Sequence, residues 1–150
     1  MTLGTEGVRI NGYVRYWTIT FFVGSLIALG LSMAEIASTT VLSMTVILVA
    51  TYCTVHQFAT KERRAPTKQE QKSMFWSLFQ LYGFYTLALI GISIAVVDSL
   101  LPADAKTIVY GSMIGIGAAI FLFECGIMWY LLGNKSIPKA ALRRLEALSN

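Results

Sequence analysis

The stretch TIVYGSMIGIGAAIFLFECGIMWYLL, residues 107–132, decides the fold. About 26 residues pass with one ionisable side chain, Glu124. At a rise of about 1.5 Å per residue, that length crosses a hydrocarbon layer roughly 30 Å thick with some tilt. A carboxylate at that depth is costly in lipid and has to face protein or water. With each residue advancing about 100°, Gly111, Ser112, Gly115, Ala119 and Gly126 fall on one side of the helix, and Glu124 lies about 180° from Gly115. Neither side is an obvious lipid-facing surface, so this helix is expected to be enclosed on both.

Outward from this helix, composition points the same way. A content of 55% hydrophobic against 13% charged residues, with a mean hydropathy of +0.63, does not suit a water-facing surface. Apart from Lys106, all of the 12 Lys and Arg residues sit at Arg9 and Arg15, within residues 61–72, or within residues 135–144. Apolar runs fill the gaps. The net charge of +4 is therefore a product of membrane topology and not a nucleic-acid footprint, which would gather basic residues on a folded polar surface. Cys53 and Cys125 both lie inside apolar runs with no Cys/His partner set, so they read as small buried hydrophobes and no metal site is expected.

The pattern yields an all-α polytopic protein: one domain over residues 1–150, with spans at 16–34, 38–59, 74–97 and 107–132. The apolar core of the first span, about 19 residues, is longer than the 7–15 of a signal peptide, so it reads as a retained helix. Trp17, Thr20, Gly24, Ala28 and Leu31 give it a contact stripe rich in small residues. A link of about three residues then forces a tight hairpin into the second span, with Ser38, Thr39 and Thr40 placed to cap its start. In the polar connection KERRAPTKQEQK, Pro66 ends one helix. Thr67 with Glu70 fits a capping box, so the next helix should begin near Lys68 and run unbroken into the third span. Gly133-Asn134 is a helix stop, and residues 138–149 read as a short basic amphipathic helix at the membrane surface. The basic residues share one side of the membrane, while Glu35, Asp98 and Asp104 mark the other. By the positive-inside rule both termini are expected in the cytoplasm. The external loops are too short to enclose a sizeable ligand.

Glu124 is the sharpest candidate for chemistry. Helical rise places it about 12 Å inward from Leu132, with Gln80 at the same depth counted from Lys72, and Cys53 at that depth counted from Lys61, with His56 one turn nearer the basic side. A layer of Glu124, Gln80 and His56 is thus geometrically feasible, with Tyr52 and Thr20 as further members. It supports two roles: proton exchange relayed by His56, or a hydrogen bond that fixes helix register. The small-residue side, Gly111, Gly115, Ala119 and Gly126, suits close helix packing. If one side of this helix meets its own bundle, the other is expected to meet a second copy or another membrane protein. Arg63, Arg64, Lys68, Lys139, Arg143 and Arg144 are the candidate contacts for anionic lipid headgroups, each worth on the order of 1 kcal/mol near the surface.

Phe58, followed by Arg64-Ala65-Pro66-Thr67 and Glu70 between the second and third of four short spans, resembles a family of small inner-membrane proteins of unknown function from Gram-negative bacteria. The resemblance is carried by roughly a dozen residues and extends to most of the chain in layout. It implies a bacterial inner membrane and supplies no enzymatic activity to carry over. The small multidrug-resistance exporters also combine four spans with one membrane carboxylate, but theirs is in the first helix, and here the first span has none. No Ser/His or Asp/Asp constellation, metal-ligand spacing or phosphate-binding loop is present, so neither an enzyme nor a cofactor is expected. The leading expectation is a non-enzymatic, oligomeric membrane protein acting through helix contacts, as an accessory or regulatory subunit of an envelope or transport system. The second is a small proton-coupled transporter or channel built on Glu124.

Overall fold

The computed structural model describes residues 3–34, 38–100 and 102–149. They form α1 (Leu3–Met33), α2 (Thr39–Glu62), α3 (Lys68–Leu100), α4 (Ala103–Gly133) and α5 (Ser136–Ser149). The first four each contain a segment long and apolar enough to cross a membrane: Ile10–Met33, Val41–Glu62, Lys68–Leu100 and Lys106–Gly133. The chain is an all-helical multi-pass membrane protein. α1 packs on α2 and α3, and α4 on the same two helices, which closes a ring in the order α1, α2, α4, α3. α5 lies against α2 at the end of the bundle that carries the 61–72 loop, called here the basic end.

Helix boundaries follow local chemistry. The capping box forms in both directions. The Glu70 backbone N–H donates to Thr67 Oγ1 at 3.3 Å, and Glu70 Oε2 accepts from the Thr67 backbone N–H at 2.8 Å, so α3 starts at Lys68 as its sequence predicts. Arg64 adds two bonds to the same carboxylate, at 2.7 and 2.6 Å, with its guanidinium 5.3 Å from the centre of the Phe58 ring. α4 stops at Gly133, and the Asn134 side chain accepts from the Ser136 N–H at 3.0 Å to start α5. Capping of α2 by Ser38 does not occur. Ser38 holds the extended N-cap conformation, but its side chain makes no cap bond, and as an exposed residue it leaves those first N–H groups to water. The side chains of Thr39 and Thr40, and those of Glu35 and Asp104, lie outside the described residues.

α1 differs from expectation by starting at Leu3 instead of near residue 16. Ile10, Tyr13, Trp17 and Phe21 recur at spacings of three to four and are all buried, so one apolar stripe runs through the mixed lead-in and holds it helical. Tyr13 packs on Phe58 at 4.9 Å and donates to Glu62 Oε1 at 3.1 Å. Trp17, fully buried, stacks on Phe21 at 4.8 Å and donates its Nε1–H to Thr51 Oγ1 at 3.2 Å. Farther along, Gly24 lets the α1 backbone come close to Val46: a Cβ there would stand 3.0 Å from Val46 Cγ1.

The core is lopsided. Its buried members run from Ile10 to Phe21, Ile47 to Ala59, Met74 to Tyr82 and Cys125 to Leu132, joined by Ile137 and Ala141 of α5. In α3, no described residue beyond Tyr82 is buried. The far end of the α3–α4 hairpin is tied instead by a polar clamp. Lys106 pairs with Asp98 at 2.9 Å, and the Tyr110 hydroxyl donates to the same carboxylate.

Candidate intramembrane polar site

Glu124 is enclosed within the bundle at 1% exposure, on the face of α4 that carries Cys125, Met128 and Leu132 into the core. Its Oε2 accepts a hydrogen bond from the Tyr82 hydroxyl of α3. Oε1 makes no hydrogen bond of ordinary geometry among the described residues, although Ser43 of α2 also acts on the carboxylate. Glu124 thus joins α4 to α3 and lies beside α2. Aromatic rings surround its partner: Tyr82 stacks on Phe121 at 5.4 Å, and Phe21 meets it edge-on at 5.9 Å. Tyr85 lies 6.4 Å from Tyr82 and 5.1 Å from Phe21.

The layer of Glu124, Gln80 and His56 is not brought together. Gln80 is exposed on the outside of α3. Depth counting found the right level, since Tyr82 is only two residues away, but two residues turn a helix by about 200° and put Gln80 on the opposite face. The face of Tyr82 is marked by Met74 and Leu78, which precede it at spacings of four and are buried. That apolar stripe is the signal by which sequence reasoning could have selected Tyr82. His56 fails for another reason. Trp17 is level with Thr51, Phe21 lies one turn beyond it, and Phe21 meets Tyr82 at the level of Glu124. This chain of contacts places Glu124 level with the region of Ile47. His56 is then roughly 13 Å nearer the basic end at the helical rise. α2 extends past the end of α4, where α5 packs on it, so counting inward from Lys61 used a displaced origin. Thr20 is likewise separate, its hydroxyl donating to the Tyr16 carbonyl at 3.0 Å.

His56 instead stacks with Tyr52, ring centres 6.2 Å apart, in a groove at the basic end. The groove is lined by Tyr16 of α1, by Tyr52, Cys53, His56, Gln57 and Thr60 of α2, and by Arg144 of α5.

On the opposite side of α4, Gly111, Gly115, Ala119 and Gly126 are all exposed. Outside their own helix, no described atom lies within 4 Å of where a Cβ would stand at any of the three glycines. Enclosure on both sides is therefore met on the Glu124 side alone within one chain. Of the six basic residues singled out for lipid, Arg63, Lys68, Lys139, Arg143 and Arg144 are exposed. Arg64 is held by Glu70, and that guanidinium keeps the Glu70 carboxyl, which lies in the polar first turn ahead of the apolar span, well below its ordinary value of 4.5, at about 2. Among the described residues no group of three or more His, Cys, Asp or Glu side chains is placed to hold a metal ion.

Four membrane-crossing helices around one enclosed tyrosine–carboxylate pair define the class, a small multi-pass helical membrane protein with a buried polar contact. No protein-family model, curated protein or solved structure matches the chain. The likeness read from residues 58–70 accordingly rests on those residues alone.

Proposed function

We propose that this chain is a non-enzymatic, oligomeric inner-membrane protein that acts through helix contacts, as an accessory or regulatory subunit of an envelope or transport system. Both termini lie on the cytoplasmic side, where the 61–72 loop and α5 meet anionic headgroups. The observation that carries the reading is the two-sidedness of α4: Glu124 is satisfied by Tyr82 inside the chain, and the small-residue side has no neighbour in it. In lipid, helices associate through close backbone approach and interhelical hydrogen bonds, and small residues permit that approach. Gln80 adds support. It is an exposed amide about 12 Å inward from Lys72 with no side-chain hydrogen bond among the described residues, a group that a neighbouring helix satisfies better than hydrocarbon does.

The test is native mass spectrometry in lipid, with disulfide crosslinking through a cysteine introduced at Ala119. The wild type should show an oligomer or a co-purifying membrane protein, and Gly115→Leu or Ala119→Leu should reduce the assembled fraction while leaving the fold intact. A monomer throughout, with no co-purifying partner, would refute the proposal. The second reading, a proton-coupled transporter or channel, draws on one observation, a carboxyl enclosed within the bundle at 1% exposure. Under it, reconstituted wild type would show pH-dependent flux that Glu124→Gln abolishes.

A further inference from the structure

The groove around His56 has a composition that the helix-contact reading does not use. It measures about 260 Å³ and lies where α1, α2 and α5 converge at the basic end. That is small beside drug-sized pockets, which begin at roughly 300 Å³, and suits a headgroup fragment better than a whole small molecule. One wall is a single stripe of α2, Tyr52, His56 and Thr60 at successive spacings of four, with Cys53 and Gln57 beside it. Tyr16 and Arg144 close it from the neighbouring helices.

The lining is rich in donors and contains no acidic side chain. Arg144 offers the guanidinium fork, His56 a ring N–H, Gln57 an amide and the two tyrosines hydroxyls. Arg144 takes no part in the ion pairs of Arg64 with Glu70 and of Lys106 with Asp98. A guanidinium held over a donor-lined groove is matched to a phosphate, which it binds through two parallel bonds. Position selects the source of that phosphate. Tyr16 and Tyr52 are rings of the kind that sit at headgroup level, and Cys53 and Tyr52 continue the groove toward the apolar part of α2, where an acyl chain would lead away.

We infer that the groove formed by Tyr16, His56, Gln57 and Arg144 is a binding site for the phosphate of one anionic phospholipid, with Arg144 as its main anchor. The lipid so held bridges α2 and α5 and helps to keep the terminal helix docked.

The full chain in detergent micelles, titrated with phosphatidylglycerol and followed by native mass spectrometry, tests this. The wild type should retain phosphatidylglycerol in preference to phosphatidylcholine. Arg144→Gln should weaken retention about tenfold, the effect of losing a charge-assisted pair. Lys135→Gln removes the same charge from the same end of the molecule, outside the groove and outside the 61–72 loop and α5, and should change retention by less than about twofold, since a diffuse contribution is small. His56→Ala, which removes one ring donor from the groove and leaves Arg144 in place, should also weaken retention. Equal losses for Arg144→Gln and Lys135→Gln would overturn the site in favour of diffuse surface attraction. Equal retention of the two lipids would overturn it as well. Displacement of the lipid by millimolar inorganic phosphate would overturn the lipid assignment and indicate a soluble phosphate ligand.

Discussion

Removing the Tyr82 hydroxyl is the most direct perturbation of the polar pair. Tyr82→Phe keeps the ring, and with it the stack on Phe121 and the edge contact with Phe21, so the change isolates one interhelical hydrogen bond. Such bonds in membrane proteins average about 0.6 kcal/mol and reach about 1.7. Here the loss is enlarged, because Oε1 has no hydrogen bond of ordinary geometry and the substitution leaves the enclosed carboxyl with the contact from Ser43 alone. Orphaning a buried polar group costs about 1–3 kcal/mol, so Tyr82→Phe should destabilise by about 1–3 kcal/mol. Glu124→Gln retains an acceptor for the hydroxyl and should cost less, below about 1 kcal/mol. The double variant Tyr82→Phe/Glu124→Leu replaces both partners by apolar groups and should recover most of the loss, since a buried polar pair exchanged for apolar atoms is close to neutral. Reversible unfolding in mixed detergent micelles, followed by tryptophan fluorescence, gives these free energies together with that of Glu124→Leu alone, which closes the double-mutant cycle with Tyr82→Phe. Buried Trp17, stacked on Phe21 beside Tyr82, supplies a local reporter. A coupling energy below about 0.3 kcal/mol between the two sites would refute the pairing, as independent positions add to within that error.

Three further outcomes follow from the fold. The Glu70 carboxyl is held below its unfolded value of 4.5, so its pairing stabilises the 61–72 connection above that pH, and the contribution disappears as pH falls from about 4.5 toward 2. With the Arg64 side chain 41% exposed, the effect is limited to about 1 kcal/mol, and hydrogen exchange across residues 64–70 at pH 7 and pH 3, with Arg64→Ala as reference, should record it. Gly24→Val should cost about 1–3 kcal/mol by overpacking against Val46, with partial rescue by Val46→Ala in the same unfolding assay; independent effects would show that the two helices are not in close contact there. Arg63 ends α2 with φ 51°, a left-handed conformation that costs a residue with a Cβ about 1 kcal/mol, so Arg63→Gly should raise the melting temperature slightly, and a decrease would show that its side chain contributes more than its strain.

The spans were legible because they depend on run length and charge placement, which are local properties. α3 beginning at Lys68 and α4 ending at Gly133 were legible for the same reason, each being set by residues within one turn. The partners of Glu124 were harder, since they depend on where one helix stands relative to another. Counting depth from the nearest lysine assumes that every helix leaves the membrane at the same level, and α2 departs from that assumption because α5 gives its last turns a protein surface to lie on. Rotation was the other lost quantity: Gln80 and Tyr82 are equivalent in depth and opposite in facing. The early start of α1 was readable in Ile10 and Tyr13 at helical spacing ahead of Trp17, a stripe hidden by the polar residues between them.

The placement of the core bears on how such a protein can hold its shape and still offer a surface to something else. Tertiary burial is concentrated at the basic half, where Trp17, Phe58, Met74, Leu78 and Met128 are enclosed and Tyr82 meets Glu124 at its inner edge. Past that edge the α3–α4 hairpin relies on its own clamp of Asp98 with Lys106 and Tyr110. Gly111 and Gly115 lie along this thinly packed half, and Ala119 and Gly126 continue their side of α4 alongside the core without entering it. Two sets of substitutions should therefore separate cleanly. Changes at Tyr82 or Glu124 act on the bonds that set helix register and should lower stability in the isolated chain. Gly115 and Ala119 are exposed, and a Cβ at Gly115 would meet no described atom of another helix, so changes there should leave that stability unaltered while acting on assembly. Under the proposed function, a single helix divides the two tasks, its polar face serving folding and its bare face contact with a neighbour.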